Sequence, residues 1–68
     1  MEEFKIRGEY IDLLQFLKAV GEASTGGEAA HYVLEGMVKV NGETETRKRR
    51  KLRSGDCVEL QGKSFQLS

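Results

Sequence analysis

Apolar and polar positions along the 68 residues change period several times, and each change marks an element. Near the start, Phe4 and Ile6 alternate with Glu3, Lys5 and Arg7, which predicts a short half-buried strand ended by Gly8. From about Ile11, Leu13, Phe16, Leu17 and Val20 follow the i, i+3, i+4, i+7 spacing of one helix face. Asp12 and Gln15 supply a capping pair at its start, and Gly21 supplies the left-handed residue at its end. Thr25-Gly26-Gly27-Glu28 has the layout of a capping box, so a second helix is expected from about 25 to 35, with Ala30, Val33, Leu34 and Met37 as its apolar stripe and Gly36 as its stop. After Gly36 the period becomes two: Val38 and Val40 alternate with Lys39, and Asn41-Gly42 is a strong hairpin signal because both turn positions need positive φ. Glu43 to about Arg47 returns antiparallel. Cys57-Val58-Glu59-Leu60 is another strand, Gln61-Gly62-Lys63 a turn, and Phe65 and Leu67 belong to a last strand. The expected architecture is α+β, two packed helices against a small, mostly antiparallel sheet.

Composition narrows what such a domain can do. A chain of this length forms one domain with one small core and no deep cleft. Its longest apolar run is Tyr32-Val33-Leu34, and Met-Glu-Glu-Phe-Lys has neither a basic nor an apolar leader region, so the expectation is a cytoplasmic protein. One cysteine and one histidine provide neither an internal disulfide nor a zinc set. No nucleophile elbow or phosphate-binding Gly-x-x-x-x-Gly-Lys loop is present, so no catalytic constellation can be assembled and neither cofactor nor metal is expected. Cys57, within an apolar strand pattern, is expected to be a small buried hydrophobe, and Asp56 and Glu59 to serve a turn and a solvated strand face.

The zero net charge conceals a segregation. Residues 1–46 carry four basic and nine acidic side chains, a balance of −5; residues 47–53, Arg-Lys-Arg-Arg-Lys-Leu-Arg, carry six basic and none acidic, +6; residues 54–68 contribute −1. A local field of this kind attracts polyanions whatever the total charge is. Leu52, inward in a two-residue alternation, and Ser54-Gly55-Asp56 directly after it indicate that the run is anchored in the fold.

Two glycines in the first turn of a helix destabilise it, by about 1 kcal/mol each relative to alanine in a helix interior, so Gly26-Gly27 call for a reason. Either the backbone geometry requires them, or the bare amides let a phosphate approach the positive end of the helix, against which Glu28 counts. His31 shares the polar stripe with Glu28 and Glu35; it is either an exposed histidine with acidic neighbours or, one turn beyond Gly27, a group facing a bound phosphate.

Taken together, Ile11-Asp12-x-x-Gln-Phe-Leu, Thr25-Gly-Gly-Glu-Ala, Glu35-Gly-Met-Val-Lys-Val-Asn-Gly42, Arg47-Lys-Arg-Arg-Lys-Leu and Ser54-Gly-Asp-Cys-Val-Glu-Leu60 resemble the S4-like RNA-binding domain, and within it a small stand-alone bacterial branch. The likeness is strongest over residues 10–60 of the single domain, 1–68. It implies an αL-type fold, with two helices on a small bent sheet and a groove beside the second helix, and a monomeric, non-enzymatic module for structured RNA, ribosomal or transfer. The implied RNA surface is Thr25, Gly26, Gly27, His31, Lys39 and the basic run Arg47, Lys48, Arg49, Arg50, Lys51 and Arg53. The family often has Ser-Arg at Thr25-Gly26 and an Arg near Tyr10, and relatives with the Gly-Gly pair often have Lys at Ala30, so binding here rests more on Arg47–Arg53. With Phe4, Phe16, Phe65 and Tyr32 at core positions, Tyr10 is the one aromatic candidate for stacking, and the cations are expected to recognise phosphate and shape. Charge reversal at Arg49 and Arg50 is expected to abolish binding while the domain stays folded. The rival class is a protein-interaction module whose basic strip docks on an acidic or ribosomal partner.

Overall fold

Helix α1 (Leu13–Ala19) begins where Asp12, in extended conformation, accepts the Gln15 N–H on its carboxylate at 2.9 Å. It is followed by Gly21 at φ 82°, and the backbone N–H groups of Glu22 and Ala23 fold back onto the Leu17 carbonyl. Helix α2 (Gly26–Leu34) begins at Thr25, whose hydroxyl accepts the Glu28 N–H at 3.1 Å. The Glu28 carboxylate reaches back to the Ser24 N–H at 2.6 Å, one residue before the cap. Both helices are thus started by side chains that satisfy amides the first turn leaves unpaired.

The computed structural model describes residues 1–68. Strands β1 (Glu2–Phe4), β3 (Val38–Val40), β4 (Glu43–Thr44), β6 (Cys57–Leu60) and β7 (Lys63–Leu67) form one sheet in the order β1-β7-β6-β3-β4, with only the β1–β7 pair parallel. Asn41 at φ 53° and Gly42 at φ 85° make the β3–β4 turn that the Asn-Gly pair predicts. A separate two-stranded ribbon joins β2 (Ile11–Asp12) to β5 (Lys51–Leu52), pairing Ile11 with Leu52 and Asp12 with Lys51. Thirteen buried apolar residues, drawn from both helices, the α1–α2 link, the sheet and the ribbon, make a single core. Phe16 is central to it, with ring centroids 5.2 Å from Phe4 and 5.5 Å from Phe65, both edge-on.

Three local expectations change. The buried positions of α2 are Ala29 and Val33, with Tyr32 packed against the core; Ala30 is half-buried and Leu34 is 63% exposed. Both phases fit a helical period, and the one adopted brings the larger Tyr32 body inward together with Ala29 and Val33. The helix also ends before Met37, which therefore lies off the stripe and is exposed. The first strand is Glu2–Phe4 and not one centred on Phe4–Ile6, because it pairs in register with Phe65–Leu67; the Ile6 N–H still bonds the Ser68 carbonyl at 2.8 Å. Finally, β4 ends at Thr44 and not near Arg47; the Glu45 N–H still bonds the Val38 carbonyl, while its side chain turns into an ion-pair cluster with Arg47 and Arg50.

Candidate nucleic-acid interface

The basic run is held at three points, each by a carboxylate. At its start, Glu45 is the one buried charged residue, 6% exposed, and accepts four hydrogen bonds. Its Oε2 takes the Arg47 backbone N–H at 2.9 Å and Nε at 3.1 Å, while Oε1 takes Arg47 Nη2 at 3.1 Å and Arg50 Nη1 at 2.8 Å. The fork-to-fork contact with Arg47 fixes that guanidinium in orientation as well as position. It is also the main reason the Glu45 carboxyl is held down at about 2; burial opposes this, and the Arg47 amide and Arg50 reinforce it. At the centre, Arg49 lies 3.7 Å from the largely covered Asp12 carboxylate with 78% of its own side chain exposed, a loose contact that holds the strip less firmly than the other two. At its end, Asp56 accepts the Arg53 N–H at 2.8 Å on one oxygen and Asn41 Nδ2 at 3.0 Å on the other, tying the strip to the β3–β4 turn. Burial would raise the Asp56 pKa, but the hydrogen bonds from Asn41 and Arg53 and the charges of Arg50 and Arg53 outweigh it and hold it below the usual value.

Between these anchors the backbone is fixed by the core. Leu52 is fully buried opposite Ile11, and the Leu13 N–H donates to the Arg50 carbonyl at 2.9 Å, so α1 starts directly against the strip. With Leu52 inward, Lys51 and Arg53 point outward, as a two-residue period requires. Arg47, Arg49, Arg50, Lys51 and Arg53 line one shallow depression that has no acidic and no apolar wall. Lys48 is exposed beside it but does not line it.

The other residues expected on the RNA surface lie elsewhere. Lys39 lines a different depression, shared with Glu59 and Lys63, where charges of both signs meet. Thr25 has its hydroxyl committed to the Glu28 amide. Gly26 and Gly27 have no positive φ, and a Cβ added at Gly26 meets no atom within 4 Å, while at Gly27 it meets only the Thr25 hydroxyl oxygen at 3.8 Å. Neither backbone conformation nor packing inside the chain therefore requires these glycines. His31 is exposed, its ring 6.3 Å from Tyr32. Cys57 is half-buried, short of the full burial its strand pattern suggests.

Sequence reasoning missed Glu45 and the separate jobs it gives the arginines. Arg50 has only 28% of its side chain exposed and serves the fold as well as the surface. Reversing Arg49 and Arg50 together would set a carboxylate against buried Glu45, so that substitution disturbs the fold along with the surface; Arg49 and Lys51, which touch no buried charge, are the cleaner probes. The hairpin register offers only an ambiguous signal for Glu45: it sets Glu43 opposite buried Val40 and, one step past the strand, Glu45 opposite buried Val38, yet Glu43 is exposed and Glu45 is not. The Glu45 N–H does bond the Val38 carbonyl, at 2.9 Å.

No group of three or more His, Cys, Asp or Glu side chains comes together as a metal set, and no helix is long and apolar enough to cross a membrane. A family model described as the S4 domain matches residues 4–68. YbcJ of Escherichia coli strain K12, named as an RNA-binding protein, is 40% identical over 58 residues, covering 85% of this chain and 83% of its own. RlbA of Bacillus subtilis strain 168, named as a ribosome maturation protein, is 45% identical over 60 residues, covering 87% and 84%. The solution structure of E. coli YbcJ, described as revealing an αL motif involved in RNA binding, superposes with a TM-score of 0.74 at 37% identity over 98% of this chain and 86% of that one. Both the α+β architecture and the match along almost the whole chain place this protein in the S4 domain family, with the αL fold.

Proposed function

We propose that this chain is a monomeric, non-enzymatic module of the cytoplasm that binds structured RNA through its phosphates and shape. The observation that carries the reading is the depression lined by Arg47, Arg49, Arg50, Lys51 and Arg53, a surface of five cations with no competing carboxylate in its wall. Double-stranded RNA displays phosphates and 2′-hydroxyls more readily than base edges, which suits fixed guanidinium and ammonium groups. Arg47 contributes a cation oriented by Glu45, and Arg49, Lys51 and Arg53 contribute exposed ones, with Lys48 at the margin. Thr25, Gly26 and Gly27, and His31 beyond them, form a second and weaker contact, and Lys39 a peripheral one. The likeness to a protein named for ribosome maturation favours ribosomal RNA over transfer RNA as the partner.

Titrating the protein against an RNA hairpin at several salt concentrations tests the proposal. Each phosphate neutralised releases condensed counterions, so log K falls against log[salt] with a slope of several units, roughly −0.7 to −0.9 per contact. Absence of binding at low salt contradicts it and leaves the strip as a docking site for an acidic protein.

A further inference from the structure

Tyr10 is 44% exposed and stands where the basic strip meets a second depression. Extending the Ile11–Leu52 register by one residue sets Tyr10 opposite Arg53, and two cations of the strip already face its ring: Lys51 Nζ is 5.0 Å and the Arg53 guanidinium carbon 5.8 Å from the centroid. Those contacts restrain the ring and pair it with positive charge. The second depression is lined by Tyr10, Phe4, Ile11, Gln15, Lys5 and Arg7 and has a volume of ≈ 450 Å³, room for one nucleotide. Its chemistry is that of a base site: three apolar or aromatic side chains, one amide able to donate and accept, and two cations, with no carboxylate.

We propose that Tyr10 and this depression hold a single unpaired nucleotide, its base against the tyrosine ring and its phosphate against Lys5 or Arg7, at the border of a duplex whose backbone lies along Arg47–Arg53. The inference rests on the RNA reading and narrows it: the preferred ligand is a helix interrupted by a bulge, not a continuous one. A flat aromatic face accepts any base, so the preference is for an unpaired nucleotide and not for a sequence.

Two synthetic RNAs test this, a hairpin with a fully paired stem and the same hairpin with one unpaired adenosine in the stem. The bulged RNA binds about tenfold tighter, as one base stacked on an aromatic side chain predicts, and Tyr10→Ala removes that preference while leaving the paired hairpin's affinity nearly unchanged. Tyr10→Phe keeps it, since the ring face remains. A readout independent of affinity uses Tyr32→Phe, which leaves Tyr10 as the only tyrosine of a chain without tryptophan; its emission is quenched by the bulged RNA more than by the paired one at equal saturation. Equal affinity of the wild-type protein for the two RNAs, or a preference that survives Tyr10→Ala, overturns the inference while the RNA reading stands. Failure to bind either RNA at low salt overturns both.

Discussion

Glu45 shows how one buried charge organises the chemistry around it. An isolated carboxylate at that depth would be strongly unfavourable, but four hydrogen bonds from Arg47 and Arg50 satisfy it, and the result is a fixed origin for the basic strip. Its pKa, about 2 in the folded state against 4.5 ordinarily, makes a prediction about acid stability. Because the folded value is depressed, the stabilisation is complete above the ordinary value and is lost as pH falls from about 5 toward 2, amounting to about 2 kcal/mol once the solvent exposure of Arg47 is allowed for. Glu45→Gln is therefore less stable than wild type near neutral pH, and its disadvantage shrinks as the pH is lowered through that window; urea denaturation at a series of pH values measures the difference. A constant difference at every pH would mean that Glu45 acts through packing alone. The residue was hard to find because a glutamate is read as solvated by default, and only the hairpin register, carried one step past the strand, places it beside Val38.

At the scale of elements, the two helix starts and the Asn-Gly turn were legible because each rests on chemistry within four residues: the Asp12 and Thr25 caps and the positive φ of Asn41 and Gly42. The ribbon of β2 and β5 was not, since two residues per strand are too few to show an alternation and the pairing spans some forty positions. That pairing ties the backbone of the basic run to the start of α1. The phase of α2 was also illegible, because apolar residues lie on both sides of the helix and contact with the sheet selects between them. Its glycine pair remains without a structural purpose, and this gives an element-scale prediction. Gly26→Ala and Gly27→Ala each raise stability by about 0.5–1 kcal/mol, since neither φ nor packing opposes a methyl group there. If the bare helix start is part of the RNA contact, the same substitutions weaken RNA binding while they raise the melting temperature; unchanged affinity would confine the contact to the strip.

For the whole molecule, the net charge of zero is the sum of a basic face and an acidic remainder. Of the acidic groups, Glu45, Asp12 and Asp56 lie against the strip, and Glu22 is paired with Lys63 at 2.9 Å, between the α1–α2 link and the start of β7. None of them lines the depression of five cations. That arrangement directs a polyanion to one side of a domain whose overall charge offers it no attraction. If RNA phosphates meet the protein along this strip, Arg49→Ala/Lys51→Ala changes the salt dependence of binding. Both side chains line the depression and neither touches Glu45, so circular dichroism and melting should remain close to wild type. The double variant binds a paired hairpin more weakly, with a salt slope shallower by about one unit for each contact removed and so by about two in all. A slope and affinity equal to those of the wild-type protein would contradict phosphate contact along the strip.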